Sequence, residues 1–251
     1  MTNYTPEMPE SDTLGVVGLA STYDAGTLIA SHSHTAHQIV HAISGTMRVT
    51  VQNKVWFVPP ARALWIPAKT MHAIQCVGPV EMRTAYLSKA CPSAHPDVLV
   101  VSVSSLMREI LIRLTERDGT ALKLLLADVL LLEMRQSIRE PFSLPIPSDP
   151  RIARLALHLQ NTPADGTPLN VWAKRLGFSE RNLIRQIRTQ TGMTFRELRR
   201  LTRIMIALDK LSAGQSVTTT AFDVGFETPS AFIHAFKSLT GKTPRQFMSG
   251  N

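Results

Sequence analysis

The chain has 251 residues, is 44% hydrophobic and 18% charged, and carries a formal charge of +8. That balance excludes a disordered or collagen-like chain and leaves room for one large domain or two ordinary ones. No run approaches the ~20 apolar residues of a membrane helix, and "MTNYTPEMPESD" at the start lacks the basic and apolar regions of a signal peptide, so a cytoplasmic chain with no membrane partner is expected.

The charge is unevenly placed. Residues 148–251 hold 15 Lys and Arg against 7 Asp and Glu, whereas residues 1–147 hold 12 of each. A basic C-terminal part beside a neutral N-terminal one points to a polyanion partner for the former. Cys76 and Cys91 form no CxxC pair and no zinc-finger spacing, and read as two buried free thiols.

From Leu14 to about Leu87 the pattern is strand-like. "TMRVTVQ" alternates, "KVWFV" is short and β-rich, and "ALWIP" stops at a proline. Turn signals recur at Gly26, Gly45, Asn53, Pro59-Pro60, Pro67 and Gly78-Pro79, a rhythm that predicts a sandwich or barrel. Within it, "SHSHTAHQIVHAISG" places four of the chain's eight histidines in ten residues. His32 and His34 lie two apart, so on a strand they share a face. His37 and His41 fall on other phases and read as surface or rim residues.

From about Val98 the period becomes helical. "SSLMREILIRLTERDG" aligns Leu106, Ile110, Leu111 and Leu114, and Asp118-Gly119 ends it. "TALKLLLADVLLLEMRQSIRE" follows as a second helix, leucine-rich on more than one side, which completes a helical hairpin. Simple packing on the barrel and a self-association surface are both open for it. "EPFSLPIPSDP", with four prolines, reads as a linker.

The last hundred residues contain a repeat. "LNVWAKRLGFSERNLIRQIRTQTG" and "VTTTAFDVGFETPSAFIHAFKSLTG" align Gly177-Phe178 with Gly225-Phe226 at an offset of 48, and Thr191-Gly192 with Thr240-Gly241 at 49. Each unit reads as helix, tight turn, helix. Leu169, Trp172, Ala173 and Leu176 form one apolar stripe, and Val217, Ala221 and Val224 the other. Gly177 and Gly225 suit the left-handed residue past a helix end. Ser179 and Thr228 suit N-caps, with Pro229 at the first helical position. In the second helix of the first unit, Leu183 and Ile187 face inward, while Arg181, Arg185 and Arg188 share the other face. In the second unit Phe232 and Phe236 face inward, and Ser230, His234 and Lys237 take the equivalent outer face. Double-stranded DNA is the expected partner. "TFRELRRLTRIMIALDKLSAG" between the units reads as one helix, with Arg196, Arg199, Arg200 and Arg203 clustered off its apolar side. Some 18 residues span roughly 27 Å, a strut suited to setting two recognition helices in grooves about 34 Å apart.

At "LGFSERNLIRQIRTQTGMTF" and "AFDVGFETPSAFIHAFKSLTGKTPRQF" the chain resembles the arabinose-regulator (AraC/XylS) family of bacterial transcription factors, over about residues 150–248. The resemblance implies a seven-helix DNA-binding domain with base contacts by position at Arg181, Ile184 and Arg185, and at Pro229, Ser230 and His234. Ile184 and Pro229 cannot donate to a base edge; Ile184 suits a thymine methyl. Direct readout therefore falls to Arg181, Asn182 and Arg185, since arginine pairs well with guanine. Ser179, Arg188, Ser230, His234 and Lys237 complete the expected interface, with Ser230 and Lys237 suited to phosphates.

Further back, "GTLIASHSHTAHQIVHAISG" fits Gly-x5-His-x-His-x3-[Glu]-x6-Gly with Gln38 at the Glu position, and "PAKTMH" fits Pro-x-Gly-x2-His with Lys69 at the Gly position. This resembles the cupin barrel over about residues 14–88. If the shared face is the barrel interior, His72 and Gln38 join His32 and His34, and three imidazoles suit a divalent transition metal. Three readings stay open: histidines that bond one another or water, a metal that shapes an effector pocket, and a catalytic cupin.

The expected fold is a two-domain α+β chain: a cupin-like β-barrel over 1–97, a helical hairpin over 98–140, a Pro-rich linker over 141–150, and an all-α domain with two helix-turn-helix units over 151–251. The expected function is non-enzymatic: a sequence-specific transcription regulator, activator or repressor, controlled by a small-molecule effector in the cupin-like domain. Promoter DNA is its main partner; RNA polymerase and a second copy of the chain are candidates. No cofactor is required for DNA binding, and the candidate cofactor of the barrel is the metal. The rivals are a metal-dependent cupin enzyme tethered to DNA and a non-specific architectural DNA protein.

Overall fold

The structure is a computed structural model, and it describes residues 3–4, 15–88, 95–116, 120–137, 139–140 and 142–248. Asp118-Gly119, the expected end of the first hairpin helix, and Cys91 lie outside the described residues, as does most of the N-terminal dodecapeptide. The chain divides into two compact units, one of residues up to Gln52 with Trp56–Phe142, the other of Asn53–Val55 with the chain from Ser143 onward.

The first unit is built from β1 (Asn3–Tyr4), β2 (Val16–Tyr23), β3 (Leu28–His32), β4 (His37–Ser44), β5 (Met47–Val51), β6 (Lys54–Val58), β7 (Arg62–Ile66), β8 (His72–Cys76), β9 (Val80–Leu87) and β10 (Leu99–Ser102), then α1 (Ser105–Leu114), α2 (Thr120–Gln136) and β11 (Arg139–Glu140). In one sheet the order is β1-β3-β8-β5-β6; in the other it is β11-β10-β7-β4-β9-β2. All pairings given for these strands are antiparallel except β1 with β3. Gly45, with φ of 81°, turns β4 into β5 with its Cα against the Pro79 carbonyl, where a side chain has no room.

Strand β4 explains how the unit is layered. Five consecutive residues of it, Gln38 to Ala42, are buried, so it reads as a continuous run because both its faces are covered. Gln38 faces the barrel interior beside Thr84, Tyr86 and Met82 of β9. Ile39 faces outward and packs with Trp65, Ala85, Leu87 and Val101 against Met107, Ile110, Leu111 and Leu114 of α1 and Leu130, Leu131 and Met134 of α2. The hairpin thus packs on the outside of the second sheet. Helix α1 starts at the Ser104 cap, whose hydroxyl accepts from the Met107 amide. Its inner stripe uses Met107 rather than the expected Leu106, which is 50% exposed. Gly18 of β2 is where α1 approaches closest, since a Cβ there would stand 2.0 Å from the Leu114 carbonyl oxygen.

The segment expected as a plain linker carries structure instead: β12 (Ser143–Pro145), with Phe142 and Leu144 fully buried. Alternate apolar residues between the prolines supply the burial, and the Ile146 amide donates to the Asn53 carbonyl at 2.6 Å.

The second unit continues with α3 (Pro150–Asn161), α4 (Leu169–Leu176), α5 (Glu180–Thr191), α6 (Phe195–Ser212), α7 (Val217–Asp223), α8 (Pro229–Thr240) and α9 (Pro244–Met248). That is the seven-helix count the motifs implied, among the described residues. Ile152, Leu155, Leu159, Trp172, Ala173, Leu176, Leu183, Ile187 and Leu198 share one core. In the second repeat, Phe226, Phe232, Phe236 and Phe247 form an edge-to-face chain with successive centroids 5.4, 5.7 and 5.4 Å apart.

Candidate functional sites: a histidine cluster and a nucleic-acid interface

Strand β3 ends at His32, which pairs directly with His72 of β8 across a register irregularity. His34 lies just past the strand end, yet its ring joins them: centroids are 4.7 Å from His32 and 5.1 Å from His72, with His32 and His72 4.3 Å apart. One ligand atom from each of the three lies within 4.8 Å of the others. The turn opposite is held by the Lys69 amide, which donates to the His34 carbonyl at 2.6 Å. Lys69 itself has φ of 62°, so the backbone keeps the left-handed conformation of the motif's glycine although the side chain is retained.

Two of the three tautomers are dictated by the backbone. His72 Nδ1 lies 2.9 Å from the Thr70 carbonyl and His32 Nδ1 2.6 Å from the Ala30 carbonyl. A carbonyl only accepts, so each Nδ1 is the N–H and each Nε2 keeps its lone pair in the neutral ring. Such a backbone anchor on the distal nitrogen is the usual support of a metal-binding histidine. His72 Nε2 and both ring nitrogens of His34 are buried without a well-formed hydrogen bond. Burial, and then the neighbouring His72 and His32, push His34 down to about 4; the Gln38 amide only partly offsets this. Burial also pushes His72 down to about 4, against the upward pull of the Thr70 carbonyl. Neutral imidazoles with orphaned lone pairs converging on one point fit a divalent transition ion.

Gln38 reaches the same wall from β4. Its Nε2 donates to the Tyr86 hydroxyl at 3.3 Å, while its Oε1 is buried without a hydrogen bond. A small, partly open cavity adjoins the cluster, lined by Leu19, Ser21, Tyr23, Ile29, His32, Gln38, Ile74, Met82, Thr84 and Tyr86.

Of the other two histidines of the run, His37 is half-buried, in keeping with a rim position, and His41 departs from expectation. His37 stacks on Trp65 at 5.0 Å and accepts from the Ala68 amide. His41 is fully buried rather than at a rim, because the hairpin covers the outer face of β4. Its Nδ1–H donates to the Arg62 carbonyl at 2.9 Å. Cys76 is a free buried thiol, pushed up to about 11 by burial.

In the helical unit the two repeats superpose in their local chemistry. The Phe178 amide donates to the Ala173 carbonyl and the Phe226 amide to the Ala221 carbonyl, both at 2.9 Å. Ser179 caps α5 through the Asn182 amide, and Thr228 caps α8 through the Ala231 amide, with Pro229 in the first turn. Arg181, Ile184, Arg185 and Arg188 are exposed on α5, as are Ser230, His234 and Lys237 on α8. Asn182 is only half-buried, and its Oδ1 accepts from Arg185 Nη2 at 3.0 Å, so its side chain orients the arginine beside it.

The arginine cluster on α6 divides. Arg196 and Arg200 are exposed. Arg199 and Arg203 turn inward: Arg199 donates to the Thr167 carbonyl and Arg203 to the Pro163 carbonyl. They brace the loop around Asp165, whose carboxylate accepts from the Thr167 amide and hydroxyl and from His158. Burial acts upward on Asp165, but the Thr167 bonds and His158 outweigh it and hold it at about 2.

Family models match the chain twice: a cupin domain over residues 20–87 and a helix-turn-helix domain over residues 172–250. The chain is similar to the HTH-type transcriptional regulator NimR of Escherichia coli K12, 30% identical over 222 residues, covering 87% of this chain and 81% of that one. It is also similar to the HTH-type transcriptional regulator RipA of Corynebacterium glutamicum, 36% identical over 106 residues, which cover 42% of this chain and 32% of that one. Among solved structures, ToxT from Vibrio cholerae aligns over 94% of this chain and 98% of its own at 12% identity, with a TM-score of 0.41. On the near full-length match and the paired domains, the chain belongs to the AraC/XylS family of helix-turn-helix transcription regulators, with a cupin domain ahead of its DNA-binding helices.

Proposed function

We propose that this DNA-binding regulator is controlled by a small molecule that enters the cupin barrel beside a divalent transition ion held by His32, His34 and His72. The observation that carries the reading is the convergence of three ring nitrogens within 4.8 Å at the edge of a cavity, two of the rings with tautomers set by backbone carbonyls. When bound, the ion supplies a Lewis-acidic point for an oxygen or nitrogen donor. The protein residues hold it, wall the cavity and shape what enters. The barrel is read as a sensor and not as an enzyme, in line with relatives named as regulators. The work takes place in the cytoplasm, and the output is promoter occupancy or contact with RNA polymerase.

On DNA, Arg181 and Arg185 are the base readers, Asn182 sets Arg185, and Ile184 meets a thymine methyl. Ser179, Arg188, Ser230, His234 and Lys237 serve the backbone and the second groove. The second copy of the chain is met through α2, whose outer side leaves Leu122, Leu125, Val129 and Leu132 between 40% and 66% exposed. Replacing Leu125 and Leu132 by glutamate should convert a dimer to a monomer in sedimentation equilibrium. An unchanged mass rejects this face.

Metal analysis of the purified chain tests the barrel reading. One transition ion per chain is expected, lost in His34→Ala. No metal in the unsubstituted protein leaves the histidines as a hydrogen-bonding cluster only.

A further inference from the structure

We propose that the ligand sensed in the barrel is a small oxygen anion of the carboxylate class, admitted because Gln38 leaves the charge of the bound cation uncompensated. The proposal rests on the metal reading above and deepens it.

The ligand set supplies no negative charge. Histidine binds a metal as a neutral ligand, and with the Nδ1–H groups of His32 and His72 committed to the Ala30 and Thr70 carbonyls, their Nε2 atoms are left to bind. The position from which a carboxylate would have joined them holds Gln38. Its Nε2 donates to Tyr86, so its carbonyl Oε1 is the atom turned toward His34, and it carries no charge. The lining of the adjoining cavity contains four aliphatic or thioether side chains, two tyrosines, Ser21, Thr84, Gln38 and His32, and no carboxylate, lysine or arginine. A dication on these imidazoles therefore keeps its full charge inside a poorly solvated wall.

That is an unstable arrangement unless a counter-charge arrives. Burying an unpaired charge costs several kcal/mol even after relaxation, and the Coulomb attraction for an anion rises as the local dielectric falls. Among the described lining residues none supplies an anion, so the counter-charge comes from hydroxide formed on the ion or from an anion that diffuses in and displaces it. One oxygen of a carboxylate would take the open position facing the cavity. Ser21 and Thr84 line the same cavity, and their hydroxyls are donors for the other. Leu19, Ile29, Ile74 and Met82 suit a short hydrocarbon body. The enclosed room is about that of one water molecule and opens to solvent, which limits the ligand to the smallest carboxylates. A neutral amide of equal shape would offer an oxygen but no charge.

The test uses the full chain with cobalt(II), whose visible spectrum reports its ligands, titrated with acetate and propionate at constant ionic strength. Acetamide and propionamide are the neutral shape controls. Saturable spectral changes with the carboxylates and none with the amides are expected, and none of these ligands should bind the metal-free chain by equilibrium dialysis. Gln38→Glu should keep cobalt at one per chain and weaken the carboxylate response at least tenfold, because the wall then carries its own anion. Gln38→Met, which stays neutral, should retain the response and serves if the glutamate variant does not fold. Failure to take up cobalt overturns the metal reading and this proposal together. Uptake of cobalt with equal response to carboxylate and amide, or an undiminished response in a folded Gln38→Glu, overturns the proposal alone.

Discussion

His41 shows what one residue's surroundings can change. In sequence it is one of four clustered histidines. In the fold it is sealed between β4 and the helical hairpin, and its distal nitrogen has no partner. Burial pushes it down to about 4; the Arg62 carbonyl pulls upward, and the charges of Arg108 and Arg83 push further down. The unfolded chain therefore takes up this proton near the ordinary histidine value, around 6.5, while the folded chain resists it until about 4. The contribution of neutral His41 to stability is complete above about 6.5 and is lost as the pH falls toward 4, at up to about 1.4 kcal/mol per pH unit. Urea unfolding between pH 7 and 4.5 should show a slope that His34 and His72 share, and His41→Leu should lower it by up to about 1.4 kcal/mol per pH unit. An identical slope in the variant would assign the acid sensitivity elsewhere. Gln38 makes the complementary point. Its identity was readable as a departure from a motif, but its orphaned oxygen and its bond to Tyr86 belong to the fold.

At the scale of elements, the two helix-turn-helix units are equal in pattern and unequal in packing. Gly177 and Gly225 both hold positive φ, at 69° and 87°. A Cβ on Gly177 meets open space, whereas one on Gly225 would stand 2.6 Å from the Ala164 Cα and 2.8 Å from Arg203. Alanine at Gly177 should therefore cost only the left-handed penalty of about 1–2 kcal/mol. Alanine at Gly225 should cost about 1–3 kcal/mol more through the backbone clash. Thermal unfolding of the two variants in the full chain checks the ordering, and equal losses would contradict the close approach. The same loop explains α6. Its periodic arginines could be counted from the sequence, but Arg199 and Arg203 turn to the 163–167 loop, whose Thr167 and Pro163 carbonyls accept from them. In the first unit, α2 carries leucine on both sides. One side closes the sheet's outer core, and the other stays exposed, which periodicity alone could not apportion.

For the whole molecule, the basic excess and the exposed outer faces of α5 and α8 serve one surface chemistry. If Arg185 reads a base, Arg185→Ala should cost about 1–3 kcal/mol on the cognate site and relax preference at one base pair. Lys237→Ala should weaken all sequences alike and lower the salt slope by about 1. Gel-shift titrations across salt with cognate and scrambled DNA separate the two. If both substitutions weaken every sequence equally, Arg185 is a phosphate contact. Equal competition by random DNA against the unsubstituted chain would favour an architectural role. The assignment of base readers follows from face and position, so this measurement bears directly on it.

The sequence by itself determined what depends on local periodicity and local chemistry. It showed strands then helices, and the duplicated helix, turn and cap signals with Gly177, Ser179, Gly225, Thr228 and Pro229 in register. It also brought out His32, His34 and His72 as one motif and Gln38 as its exception. These features act within a few residues, where φ preference and side-chain reach suffice. Only the tertiary structure decided what depends on which face is covered. It buried His41, set the tautomers of His32 and His72 through the Ala30 and Thr70 carbonyls, turned Arg199 and Arg203 inward, and made a strand and a buried Phe142 out of a proline-rich stretch. Burial and hydrogen-bond partners come from segments distant in the chain, and no local pattern encodes which segment will arrive.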